Sequence, residues 1–306
     1  MSGSWRVLGT EICALGESPF WHPEEQTLYW VDITAKRILR ANVYTGDVQR
    51  WDLPGEPGCI APAASGGLVM ALRDGIYRAR AWGGPLQHLA TLPYDPRTVR
   101  ANDGKCDALG RFWVGTVDET KRNQAAALYV VDARGGTIQV RTAIKDALTG
   151  NGLAWSTDQR SLYWADTPRH QVRSWPFELA TATLGDPDIF LQFSPKPAEW
   201  NFADRSYAGR PDGATVDASG NYWVAQYEGR RVAQYAPDGT LLQELQVPAQ
   251  CPTMPCLGGE DFKTLYVTSV SQGRSAAELA EMPQSGAVFH TRVASPGQRV
   301  NFFVDE

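Results

Sequence analysis

The sequence predicts an all-β chain folded as a six-bladed β-propeller of four-stranded antiparallel blades, with the N-terminal strand closing the ring. Two observations carry this prediction. First, a short apolar phrase recurs six times: LYWVD from Leu28, LVMAL from Leu68, FWVGT from Phe112, LYWAD from Leu162, YWVAQ from Tyr222 and LYVTS from Leu265. Successive copies start 40, 44, 50, 60 and 43 residues apart, which is blade spacing rather than the period of a helical solenoid. Second, most copies follow a turn-like polar stretch and precede another alternating segment with its own turn, so each repeat reads as two hairpins.

Taken in order, WHPEEQT leads into the first phrase and ILRANVYTGDVQRWDLP follows it; IYRARAWGGPLQHLATLP follows the second. CDALGR precedes the third phrase and LYVVDARGGTIQVRTAI completes that repeat; WSTDQRS opens onto the fourth. VDASGN and VAQYAPDGTLLQELQVP flank the fifth, and LGGEDFKT precedes the sixth. The final stretch, AVFHTRVASPGQRVNFFV, reads as the last outer hairpin and lacks an edge partner, while WRVLGTE at the amino end is a spare strand able to supply one. Such a closure removes open sheet edges. One propeller is expected over residues 1–306, with 173–209 exceeding what a blade needs and carrying a long loop or lid beside the active face.

Composition agrees with this class. Twenty-nine Gly, 20 Pro, 11 Trp and 11 Tyr among 306 residues favour turns and strands. A net charge of -5 with no run of Lys or Arg argues against nucleic acid or an anionic membrane as partner. No apolar window approaches a membrane span, and MSGSWRVLGTE lacks the pattern of a signal peptide. Five irregularly spaced Cys suit free thiols in a reducing compartment, so a cytoplasmic location is expected. Cys251 and Cys256 could alternatively form half of a zinc or disulfide site.

Blades packed around an axis bring equivalent repeat positions together. Ten to twelve residues before each phrase stand Glu17, Gly58, Asn102, Asn151, Asp212 and Thr253. Four of these bear carboxylate or amide oxygens, and two carboxylates in one channel would repel unless a cation sat among them. NG, DG and NDG are also ordinary turn signals, but Glu17 lies between apolar neighbours where a turn does not explain it. An all-oxygen set favours calcium, magnesium or manganese; zinc or iron(II) could also load. Aligning the motifs on their glycines matches Asp103 instead of Asn102, and spacing leaves both open.

GESPFW, RANDGKCDALGRFWVGT, GNGLAWS, RPDGATVDASGNYWVAQY and a late GG-x5-LYVTS resemble the gluconolactonase, regucalcin (senescence marker protein) and luciferin-regenerating enzyme family. The likeness covers nearly the whole chain. It implies one divalent metal bound on the axis through Glu17, Asn151 and Asp212, with Asn102 facing metal and substrate and Arg100 hydrogen-bonding substrate oxygens. Some members use a further Glu after the GT of the third blade; here GTVDET offers Asp118 and Glu119, with Thr120 at the strictly spaced place. Glu119 is the substrate contact expected.

The reaction expected is hydrolysis of a sugar lactone, an aldonolactone such as glucono-, xylono-, arabino- or galactonolactone. Asp212 is the expected general base as well as a ligand. No G-x-S-x-G occurs, so a nucleophilic serine is a poor rival. A non-enzymatic calcium-responsive regulator or an interaction scaffold is the alternative. Trp200, Phe202, Tyr207 and Tyr227 could line a sugar pocket or simply pack blades.

Overall fold

The recurring phrase becomes the second strand of every blade. A computed structural model, which describes residues 4–305, shows six antiparallel sheets beginning with innermost strands Gly16–His22, Pro57–Pro62, Val99–Cys106, Gly150–Trp155, Arg210–Val216 and Pro252–Gly258. Five sheets are four-stranded. In the fourth, Thr183–Leu184 and Asp188–Gln192 both pair with Gln171–Glu178, so part of the surplus length becomes blade edge. The one α-helix among the described residues, Ala276–Glu281, interrupts the last blade; Ser275 caps it by accepting from the Glu278 N–H.

The closing strand lies where expected. Arg6–Val7 pairs antiparallel with Phe289–Arg292, and the Leu8 N–H donates to the Val288 carbonyl. Glu11 fastens the same segment to the first blade through Arg50. Removing residues up to Gly9 should therefore lower the melting temperature and create a new edge at Phe289–Arg292 that promotes self-association. Differential scanning fluorimetry and sedimentation velocity check this; an unchanged, monodisperse protein would show the strand to be dispensable.

The expected last outer hairpin is corrected. Only Phe289–Arg292 is a strand; residues after it leave the blade and cross the end of the ring opposite the site described below. Gly297 bridges Asp217, Phe303 bridges Ala63 and packs edge-on against Phe112, and Asp305 pairs with buried Arg78. Pro296 and the NFF run explain the difference: Pro cannot donate to a ladder, and Phe303 gains a fully buried seat between two blades.

Six apolar clusters hold the ring, each seated between two neighbouring blades. Alternation along the strands sends one face of each blade into the cluster before it and the other face into the cluster behind. Two blades also share an internal tie. Asp107 accepts from the Trp113 Nε1–H at 2.8 Å, and Asp217 accepts from the Trp223 Nε1–H at 2.9 Å, six residues on in both cases. Packing thus fixes the blades from their sides and leaves the axis to polar residues.

Candidate active site

Each innermost strand carries an irregularity of register soon after its start. The shifts fall between Glu17 and Phe20, Pro57 and Cys59, Ala101 and Gly104, Asn151 and Ala154, Pro211 and Ala214, and Pro252 and Pro255. A bulge re-aims side chains. Here it coincides in four blades with the oxygen-bearing residues singled out from the sequence. Gly152 shows the local requirement: its φ is +62°, and a Cβ there would stand 2.5 Å from the Tyr222 hydroxyl oxygen. In the second blade, a Cβ on Gly58 would meet the Ala101 carbonyl carbon at 2.4 Å, so close approach of strands replaces a polar side chain.

Glu17, Arg100, Asn102, Asn151 and Asp212 line one cavity of about 460 Å³ at the axial mouth. Asn102 and not Asp103 reaches it. The buried Asp103 carboxylate sits behind, where Oδ2 accepts from the Leu153 N–H at 2.9 Å and Oδ1 has no hydrogen-bond partner of good geometry among the described residues. Asn102 Nδ2 donates to Asn151 Oδ1 at 2.8 Å, and its own Oδ1 accepts from Arg100 Nη1 at 2.9 Å. Asn151 Nδ2 donates in turn to Thr167 Oγ1 at 2.8 Å, and that hydroxyl donates to the Pro211 carbonyl. This chain fixes both amide planes.

The two carboxylates are held less comfortably. Glu17 accepts from the adjacent Ser18 N–H at 3.0 Å, and burial followed by the charges of Asp212 and Asp103 pushes its pKa far up. Burial and then Asp103 raise Asp212 as well, against the pull of Arg210, the Gly213 N–H and Arg100. Burying three acids together is costly, and the charges of Lys105 on Asp103 and of Arg100 on Glu17 and Asp212 offset it only in part, since all three stay raised. Among the described residues no three His, Cys, Asp or Glu side chains gather into a metal cluster, so the oxygen set is two carboxylates with amide oxygens. These donors fit a hard divalent cation and not a thiolate or imidazole cage.

Glu119 is placed differently from the other expected residues. It stands outside the cavity lining, accepts from Arg73 Nη1 at 2.8 Å, and lies 3.5 Å from Arg100 Nε. Asp118 is buried in its own turn, accepting from the Thr120 N–H and hydroxyl and from the Asn123 N–H. Of the four aromatic residues considered, only Tyr227 lines the cavity. Tyr207 pairs with His170 at 2.7 Å and Trp200 packs edge-on against Tyr207, which binds the 193–209 loop to the fourth blade. Lys121, Thr167, Arg210 and Gln272 line the mouth as well, and the sequence reading did not name them. Arg210 directly precedes the PDG motif, but Lys121 carries no comparable signal.

Fold and site together define a ring-shaped protein with one polar axial pocket built from the starts of its innermost strands. Residues 15–271 match the family described as the SMP-30/Gluconolactonase/LRE-like region, and the chain belongs to that family. It is 41% identical to a 6-deoxy-6-sulfogluconolactonase of Pseudomonas putida over 97% of both chains, and 30% identical to regucalcin of Gallus gallus over 92% of both. A calcium-binding regucalcin from Agrobacterium tumefaciens superposes with a TM-score of 0.89 at 24% identity, covering 98% of this chain and 97% of that one. The family expectation and the gluconolactonase-like sugar lactonase activity expected with it are borne out. No helix among the described residues is long and apolar enough to cross a membrane.

Proposed function

We propose that this lactonase opens an aldonolactone such as glucono-, xylono-, arabino- or galactonolactone to its sugar acid with one divalent cation held by Glu17, Asn151 and Asp212. The carrying observation is the pair of buried carboxylates, Glu17 and Asp212, facing one cavity with a third acid behind them. The relative named a 6-deoxy-6-sulfogluconolactonase supports a gluconolactone skeleton, and the calcium-binding regucalcin supports a cation of the calcium, magnesium, manganese, zinc or iron(II) group. Five buried, unpaired cysteines support a reducing, cytoplasmic setting.

The chemistry such a cation supplies when bound is polarisation of the lactone carbonyl and a lower pKa for water at the site. Asp212 accepts a proton as water oxygen bonds to the carbonyl carbon, then returns it to the ring oxygen as the carbon–oxygen ring bond breaks. Arg100 is held by the Ala101 carbonyl and Asn102 Oδ1, both at 2.9 Å, and offers its remaining N–H groups to a substrate oxygen. Glu119, anchored by Arg73, reaches the substrate from the rim or holds Arg100 in place. Leu15, Val117 and Tyr227 give the sugar ring an apolar wall.

The test is hydrolysis of a lactone panel followed by pH indicator, with spontaneous opening subtracted. Chelator-stripped protein should lose at least about 100-fold of its turnover, and one of the five cations added singly should restore it. Stoichiometric cation binding with no turnover of any lactone would shift the assignment to a non-enzymatic calcium-responsive regulator or scaffold.

A further inference from the structure

Three cationic side chains, Arg100, Lys121 and Arg210, line the same cavity as the two carboxylates, before any divalent ion adds its own charge. In a chain of net charge -5 this is a local excess of the opposite sign. Carboxylates outside the cavity offset it in part: Asp118 and Asp166 act on Lys121, and two others are divided among several cations. Glu119 is shared by Arg73 and Arg100, and Glu228 is shared by Lys196, Arg210 and, at 4.0 Å, Arg274.

Lys121 has no carboxylate within 4.0 Å among the described residues; its amine donates to Thr149 Oγ1 at 2.6 Å and keeps two further protons free. Lys121 is exposed at the rim, and desolvation and then the charges of Arg100 and Arg210 hold its pKa below the ordinary lysine range. Arg210 stacks its guanidinium over Tyr227 at 5.2 Å, and its buried Nε has no hydrogen-bond partner among the described residues. An ammonium with two protons unused and a guanidinium nitrogen left unpaired, both lining one cavity, leave donors there in excess of acceptors.

We propose that Lys121 and Arg210 form an anion subsite at the cavity mouth that holds a sulfonate, phosphate or carboxylate carried by the sugar lactone at the end remote from its reacting carbonyl. The substrate enters with its lactone toward Glu17 and Asp212 and its anionic tail toward these two cations. Oxygens of the tail accept from the Lys121 ammonium and face the Arg210 guanidinium at the cavity wall. This assignment rests on the lactonase reading and specifies which lactones the enzyme prefers.

Kinetics on neutral gluconolactone and on lactones of the same skeleton bearing a terminal carboxylate, phosphate or sulfonate provide the test. Wild-type kcat/KM should favour at least one anionic lactone by about tenfold or more at low salt, with the preference falling as salt rises. The three anionic arms identify which group the subsite accepts. Lys121→Met should reduce the anionic-to-neutral ratio about tenfold and Lys121→Arg should retain it. A wild-type ratio near one, or a ratio unchanged in Lys121→Met, overturns the proposal. Titration calorimetry with the open-chain acids, with and without the extra anion, separates the two readings. If no lactone is hydrolysed, the lactonase reading fails, while tighter, Lys121-dependent binding of the acid with the extra anion still upholds the subsite and equal binding overturns it.

Discussion

Asp212→Asn should reduce lactone turnover by about a thousandfold, within the range associated with loss of a positioned general base, and should at the same time stabilise the metal-free protein near pH 8. The second effect follows from the raised carboxylate. An unfolded Asp releases its proton above about pH 4, whereas buried Asp212 retains it to higher pH because of desolvation and the Asp103 charge. Over that window the folded state binds more protons than the unfolded state, so stability falls as pH rises, by about 1.4 kcal/mol per pH unit for one full proton. Asn carries no such charge and loses nothing. In chelator the variant should melt above wild type at pH 8 and approach it toward pH 4. Fluorimetric melts across that range decide the matter: a gap independent of pH would mean that the gain has another origin. Saturating cation should reverse the order, because the wild type gains a bound ligand that the variant binds more weakly.

Asp107→Ala is expected to cost about 3–5 kcal/mol, the penalty of leaving a buried charge without its partner. Asp107 is fully buried and accepts from Arg111 Nε at 2.6 Å, from the Leu109 and Arg111 N–H groups, and from Trp113 Nε1. Arg111 is itself buried, so the truncation strands a guanidinium in the third blade. Urea unfolding reads the loss. Adding Arg111→Met should recover part of it, since removing both charges avoids the uncompensated one. If the double variant is no better than the single, the cost lies in the turn and the tryptophan and not in the charge. The corresponding Asp217 binds Trp223, Gln234 and Asn221, all neutral, and its truncation leaves no stranded cation.

Much of this was readable in the sequence because propellers repeat. Leu28, Leu68, Phe112, Leu162, Tyr222 and Leu265 mark equivalent second strands, and counting back from them reached the residues that meet at the axis. Glu17, Asn151 and Asp212 were found that way without any local signal strong enough alone. The choice between Asn102 and Asp103 needed three dimensions, because the bulge between Ala101 and Gly104 decides which side chain turns toward the mouth. Lys121 was missed for a related reason: it comes from a connection and not from a repeat position, in the left-handed region at φ +56°. CDALGR and VDASGN were read as turns. They are turns, but their aspartates also reach forward to Trp113 and Trp223, and that second role is visible only as a matched spacing of Asp and Trp. The tail after Arg292 failed as a hairpin because its hydrophobic residues satisfy cores in other blades rather than a neighbouring strand.

The pairing of Arg6 with His290 imposes an order on biosynthesis. Blades one to five are each built from contiguous sequence and can assemble in succession as the chain leaves the ribosome. Arg6–Val7 precedes every blade-one strand yet belongs to the last blade, and must wait, without its partner, until Phe289–Arg292 has been translated. Joining it closes a loop of nearly the full chain length, the slowest kind of contact to form. The circle is therefore locked late, once Phe289–Arg292 has been made, and the Phe303 and Asp305 contacts come from sequence later still. Until that moment the nascent protein exposes the flank of its first blade, the interval in which a chaperone has most to protect.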